Sequence, residues 1–181
     1  ASTRETLTDK PNNKTSNLGL EGAWLTDMEP FFDLFKDRKL ALDVFTVAED
    51  SRIDARVQKE YPGLRQAYQE IQKDTLSERP NIEELPARQA LVEFLIRLSL
   101  QQYRGLPVPK KYIKEAKAIA HVVRRLVTPD LALVEDTAEA TLRIYRIITR
   151  LPNEEINETQ WEDLNLDDLQ DELSDDELED L

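Results

Sequence analysis

The densest set of side chains able to do chemistry is Glu49-Asp50-Ser51-Arg52-Ile53-Asp54-Ala55-Arg56. On a helix, Asp50 and Asp54 share one face, Arg52 stands beside Arg56, and Glu49 lies one turn from Arg52. Two carboxylates on one face could hold a divalent cation, but a di-metal bundle draws ligands from Glu-x-x-His elements, and none occurs here. Glu49, Asp50, Arg52 and Asp54 therefore read as a structural or docking motif, either a solvated charged face or a partly buried ion-pair network fixing helix packing. A second cluster, Glu135, Asp136 and Glu139 followed by Arg143, Arg146 and Arg150, places acids early and bases late, which complements a helix dipole without any catalytic purpose. His121, between Ala120 and Val122, reads as a packed or surface residue rather than a general base. Lys110, Lys111, Lys114, Lys117, Arg124 and Arg125 make a moderately basic helix. Beyond Tyr112 it lacks the interleaved aromatics of a nucleic-acid site, so docking of an acidic partner or of this chain's own tail is expected.

Composition narrows the chemistry further. The 181 residues include one His and no Cys, which excludes a disulfide framework, a thiol nucleophile, zinc fingers, iron–sulfur sites and multi-histidine metal sites. There is no glycine-rich phosphate loop, no His-Glu-x-x-His and no Gly-x-Ser-x-Gly. Accordingly no catalytic residue, cofactor or metal ligand is assigned, and an enzyme using the Asp50/Asp54 carboxylates ranks last. No apolar run approaches the ~18 residues needed to cross a membrane. The chain opens Ala-Ser-Thr-Arg-Glu, with neither an initiator Met nor an apolar signal core, so it reads as a piece of a longer, cytoplasmic protein.

Charge is unevenly placed. Of 37 acidic residues 14 fall between 153 and 181, where no Lys or Arg occurs, so the formal net charge of −13 belongs to the tail and the rest is nearly neutral. Such a tail does not seek phosphate, and basic protein surfaces suit it better. Trp161, Leu166, Leu169 and Leu173 stand among its acids, the three leucines at i, i+3 and i+7, so the tail is either a solubilising linker or an element that folds into a partner's groove.

The elements that position these groups follow from periodicity. Residues 1–18 are polar and read as a disordered linker, 19–152 as a helical domain, and 153–181 as an acidic low-complexity tail. Asp27 caps a short aromatic helix with Phe31, Phe32 and Phe35 inward. Leu40, Val44, Val47 and Ala48 predict a helix from Arg38 to about Glu60, stopped by Pro62 and Gly63. Leu64, Ala67, Tyr68 and Ile71 make a third helix ending before Pro80, and 81–85 is a loop. Leu91, Phe94, Leu95 and Leu98 make a central helix from Pro86 to about Tyr103. Pro109 opens a helix through Val127, and Thr128-Pro129-Asp130 opens the last, running to Leu151. The expected class is all-α, an irregular bundle of about six helices.

The stretch Leu42-Asp43-Val44-Phe45-Thr46-Val47-Ala48-Glu49-Asp50-Ser51-Arg52-Ile53-Asp54-Ala55, ending in Glu60-Tyr61-Pro62-Gly63-Leu64, resembles the E-D-x-R-I-[DE]…PG segment in the helical region of von Willebrand factor A (VWA) proteins of the nitric-oxide-reductase activation type and of the related cobaltochelatase subunit. Phe31–Phe35, Arg88–Glu93 and Val134–Thr141 extend the likeness over roughly 22–152. The resemblance implies a helical region ahead of an acidic linker and a VWA domain, working with MoxR-type AAA+ ATPases on client metalloenzymes in activation or cofactor insertion. The VWA domain is absent, since no Asp-x-Ser-x-Ser occurs. Two functions are thus expected: a non-catalytic adaptor for such an ATPase, or a standalone regulatory protein whose acidic Leu/Trp tail binds a basic partner surface.

Overall fold

A computed structural model describes residues 28–128 and 132–168. Their six α-helices and one two-stranded ladder make the all-α class plain. Residues 28–36 belong to a unit of their own. In it α1 (Met28–Phe32) is a single turn, and the Phe31 ring meets Phe32 and Phe35 edge to face with centroids 5.2 and 5.1 Å apart. Asp27, the expected cap, lies outside the described residues, as does the 1–18 segment.

In the second unit α2 (Arg38–Glu60) starts where Asp37 accepts the Leu40 N–H at 3.0 Å. It buries Ala41, Val44, Ala48 and Ser51, a stripe of small side chains that lets α6 approach closely. The Pro62–Leu64 3-10 turn then leads into α3 (Arg65–Ser77). α4 (Ala87–Ser99) is central as expected: Leu91, Phe94 and Leu95 have no accessible surface and pack with Val44, Ile119, Ile144 and Ile148 of the neighbouring helices. It ends before Tyr103, because Gln101 takes a left-handed φ of 61° and its N–H returns to the Leu98 carbonyl. The expected loop at 81–85 holds a 3-10 turn whose Ile82 joins the core.

Two departures follow. Gly105, at φ 58°, turns the chain into β1 (Leu106–Pro109), which pairs antiparallel with β2 (Trp161–Leu164), Leu106 opposite Leu164 and Pro109 opposite Trp161. Pro107 and Pro109 have no N–H, so the donors of β1 are Leu106 and Val108, and the prolines occupy the positions turned away from β2. α5 (Ile113–Val127) follows. The last helix, α6 (Val134–Arg150), starts later than the Thr128-Pro129-Asp130 signal suggests. The Thr128 hydroxyl donates to the Arg124 carbonyl and so finishes α5, while the Asp136 carboxylate accepts the Leu133 N–H at 2.7 Å and caps α6. Residues 129–131 lie outside the described set.

The acidic segment does not begin as a free tail at 153. The Ala87 N–H donates to the Glu154 carbonyl at 2.9 Å, Trp161 and Leu164 are buried in the core, and the Leu166 N–H donates to the Tyr103 carbonyl at 2.8 Å. Residues up to about 167 are thus a strap closing the fold, held by the burial of Trp161 and Leu164 while Glu162 and Asp163 between them stay exposed. Leu169 and Leu173 lie outside the described residues.

Candidate functional site

Of the expected motif, Glu49 and Arg52 form a lock between helices. The Arg52 guanidinium donates to both Glu49 carboxylate oxygens, Nε at 2.9 Å and Nη2 at 2.6 Å, and its Nη1 donates to the Ala132 carbonyl at 2.9 Å. From α6 the buried Thr137 hydroxyl donates to Glu49 Oε2 at 2.6 Å. One carboxylate therefore ties α2 to the start of α6, and its arginine ties α2 to the segment entering it. The bidentate arginine, aided by Thr137, holds the Glu49 carboxyl below the usual carboxylate range despite partial burial. A carboxylate so engaged is a poor proton acceptor, and its chemistry is spent on packing.

Asp50 and Asp54 do not join this lock. Asp50 is largely exposed; the partial desolvation of its carboxyl and then the Glu49 charge raise its pKa. Asp54 is half-buried toward α3, where burial and then Asp50 raise its pKa, with the Gln72 amide opposing the shift. Among the described residues no three acidic or histidine side chains converge in the way a metal ion would need.

These opposite shifts give a pH signature. Glu49 has a folded pKa below its unfolded one, so its contribution is complete above about pH 4.5 and is lost as pH falls through the folded value. Asp54 has a folded pKa above its unfolded one, so its contribution is present in acid and is lost as pH rises through the folded value. Glu49→Gln is therefore expected to cost about 2–3 kcal/mol at neutral pH and clearly less near pH 3, while Asp54→Asn leaves stability at neutral pH unchanged or raised. Urea titrations at both pH values decide this, and an equal loss for Glu49→Gln at each would show that its charge plays no part.

The third helix holds a reversal. Its expected apolar stripe faces solvent, with Leu64 47% and Ile71 64% exposed, and Tyr61 just ahead is exposed as well. The residue α3 buries is Gln72. Periodicity located the helix correctly, but its one buried side chain is Gln72, which meets the Asp54 region, with Tyr68 and Leu76 of the same side partly buried.

The basic helix is divided in use. Its first bases fall not on α5 but on the 3-10 turn Lys110–Tyr112 ahead of it, which the strap occupies: the Lys111 ammonium and the Tyr112 hydroxyl both donate to Glu154, at 2.6 and 2.5 Å, and the Lys110 ammonium reaches the Thr159 carbonyl at 3.4 Å. Lys111, then Tyr112, lowers the Glu154 pKa. At the C-terminal end of α5, Leu126 and Val127 floor a cleft of about 330 Å³, together with Ala55 and Ala132, and Arg52, Arg56, Lys59 and Glu60 rim it.

No protein-family model, curated protein or solved structure matches the chain. As a partner-binding element, Trp161 is corrected to a core residue and Leu166 to a partly buried contact on that core. Sequence reasoning named two further polar groups only within the resemblance and gave neither a role of its own. Glu93, 3% exposed, accepts from both Arg79 and Arg97, and the signal available was a lone acid inside an apolar run with Arg97 one turn on. Arg88 donates to the Leu151 and Thr149 carbonyls at 2.5 and 3.0 Å, satisfying orphan acceptors at the end of α6.

Proposed function

We propose that this chain is a non-catalytic adaptor, the helical docking portion of a VWA-type cochaperone that works in the cytoplasm with a MoxR-type AAA+ ATPase in metalloenzyme activation or cofactor insertion. The ATP chemistry belongs to the partner. The observation that carries the reading is where the quoted segments meet. Leu42–Ala55 and Val134–Thr141, remote in sequence, share the Glu49–Thr137 hydrogen bond, and Arg88 of a third quoted segment fastens the end of α6. In this reading the motif sets the helix geometry of such a region, and docking falls to a neighbouring surface.

That surface is the set of exposed apolar residues Tyr61, Leu64 and Ile71 directly after the motif, at the end of α2, in the 3-10 turn and on α3, since exposed apolar groups suit insertion into a partner's groove. No helix among the described residues is long and apolar enough to cross a membrane. The competing reading, a tail that masks a basic partner, loses Trp161 and Leu166 to the fold itself.

Hydrogen exchange of the chain with and without a MoxR-type ATPase in its ATP-bound state tests the proposal. Protection over residues 61–72, abolished by Ile71→Asp and accompanied by altered ATP turnover, is the expected result. Absence of protection anywhere together with unchanged turnover overturns it.

A further inference from the structure

α2 and α6 run antiparallel, since the Asp37 N–H donates to the Tyr145 hydroxyl at 2.9 Å and, further along both helices, Thr137 donates to Glu49. Between those two bonds Leu42 comes level with Leu142. The two leucines face solvent, at 47% and 46% exposure, and Phe45 and Ala138 beside them are half-buried. Helical periodicity sets all four on the side of the α2–α6 pair turned away from the core, so an apolar centre spans the outer groove of the two helices. A lone exposed leucine needs no explanation, whereas apolar groups gathered at one level of two helices mark a contact surface.

The charges around this centre select its occupant. Leu142 is the midpoint of α6, which runs from Val134 to Arg150. Glu139 and Glu135 lie one and two turns before it, Arg146 and Arg150 one and two turns after it, and all four are exposed. A two-fold axis through Leu142 lays α6 antiparallel on its own copy. It brings Glu139 of each chain to Arg146 of the other and Glu135 to Arg150, whereas a parallel pairing sets acid on acid. Glu139 also meets Arg143 at 2.7 Å, but that pair is exposed and holds weakly enough for a second arginine to share the carboxylate.

We propose that the outer face of α2 and α6 is a homodimer interface, an isologous contact between two copies of this chain centred on Leu142. The order of charges that complements the α6 dipole is the same order that makes the helix complementary to itself. The formal net charge of −13 opposes association, so the dimer forms only as concentration rises. α3 meets α2 on the side of Asp54, away from this face, so each copy keeps its Tyr61, Leu64 and Ile71 surface and a partner with repeated sites engages two at once. The interface stands independently of the AAA+ reading, because both of its halves belong to this chain.

Sedimentation equilibrium of the full chain between about 10 and 500 μM, in about 0.15 M salt, tests it. The weight-average mass is expected to climb from the 21.0 kDa of one chain toward twice that value. Leu142→Glu sets like charges together on the axis and should raise the dissociation constant at least about tenfold. Glu139→Arg and Arg146→Glu, each alone, set like charges across the contact and should weaken it. An equal mixture of those two variants should regain the association, because in the mixed dimer each substituted position faces its complement. Circular dichroism confirms that every variant folds. A mass of one chain at all concentrations overturns the proposal. So does a dimer that Leu142→Glu leaves unchanged, which assigns association to another surface, or a mixture that associates no better than its separate components, which removes the antiparallel pairing of α6.

Discussion

Replacing Glu93 by leucine is expected to lower stability by about 3–5 kcal/mol, although leucine suits a central helix better than a carboxylate does. Glu93 is 3% exposed, and the guanidiniums of Arg79 and Arg97 both close on it. Arg97 also donates to the Pro80 carbonyl at 2.8 Å, so the cluster joins α4 to the chain leaving α3. Removing the acid leaves two partly buried cations facing each other without a counter-charge, and that penalty exceeds what leucine gains by burial. The triple change of Glu93→Leu, Arg79→Met and Arg97→Met is expected to recover most of the loss, because buried ion clusters are commonly replaceable by apolar groups of similar volume. Urea midpoints of the single and triple variants measure both. A single-variant loss under about 1 kcal/mol would show that the carboxylate is dispensable.

The second large effect separates the Trp161 ring from its nitrogen. The side chain is buried at 8% exposure in the core, so Trp161→Ala should cost about 3–5 kcal/mol through lost contacts and the cavity left behind. The indole N–H, however, is buried with no acceptor among the described residues. Trp161→Phe keeps most of the apolar contact and deletes that unsatisfied donor, so its cost should be under about 1.5 kcal/mol. Amide exchange at Leu106 and Val108, whose donors face β2, should accelerate in the alanine variant and stay slow in the phenylalanine one. If alanine at 161 changes neither stability nor exchange, the strap is not part of the fold.

The sequence is most legible where the signal is local. The Arg38–Glu60 helix is bounded by Asp37 before it and Pro62-Gly63 after it, and its apolar spacing needs no knowledge of other elements. The α4 core residues stand out for the same reason. Legibility fails where a partner distant in sequence decides the outcome. Leu106–Pro109 carries two prolines in four residues and becomes a strand because Trp161–Leu164 pairs with it. Trp161 itself sits among acids, and its composition describes a solvated tail, yet the core cluster is what claims it. The start of α6 was displaced because Leu133 gives no capping signal in its own side chain, and the acceptor comes from Asp136 three residues later. At the motif, spacing paired Glu49 with Arg52 correctly. It could not show that Thr137, 88 residues on, completes the site, since no local pattern encodes a contact across helices.

The prolines of β1 have a further consequence for how the molecule behaves in a crowded solution. Strand edges recruit other chains by offering a row of unpaired N–H and C=O groups. On β1 the positions turned away from β2 are Pro107 and Pro109, which have no hydrogen to offer. The free edge of β2 is four residues long and carries the exposed acids Glu162 and Asp163, so identical copies meeting there bring like charges together. Among the described residues the ladder has two strands, one outer side short of donors and the other bearing exposed acids, which disfavours growth by edge pairing.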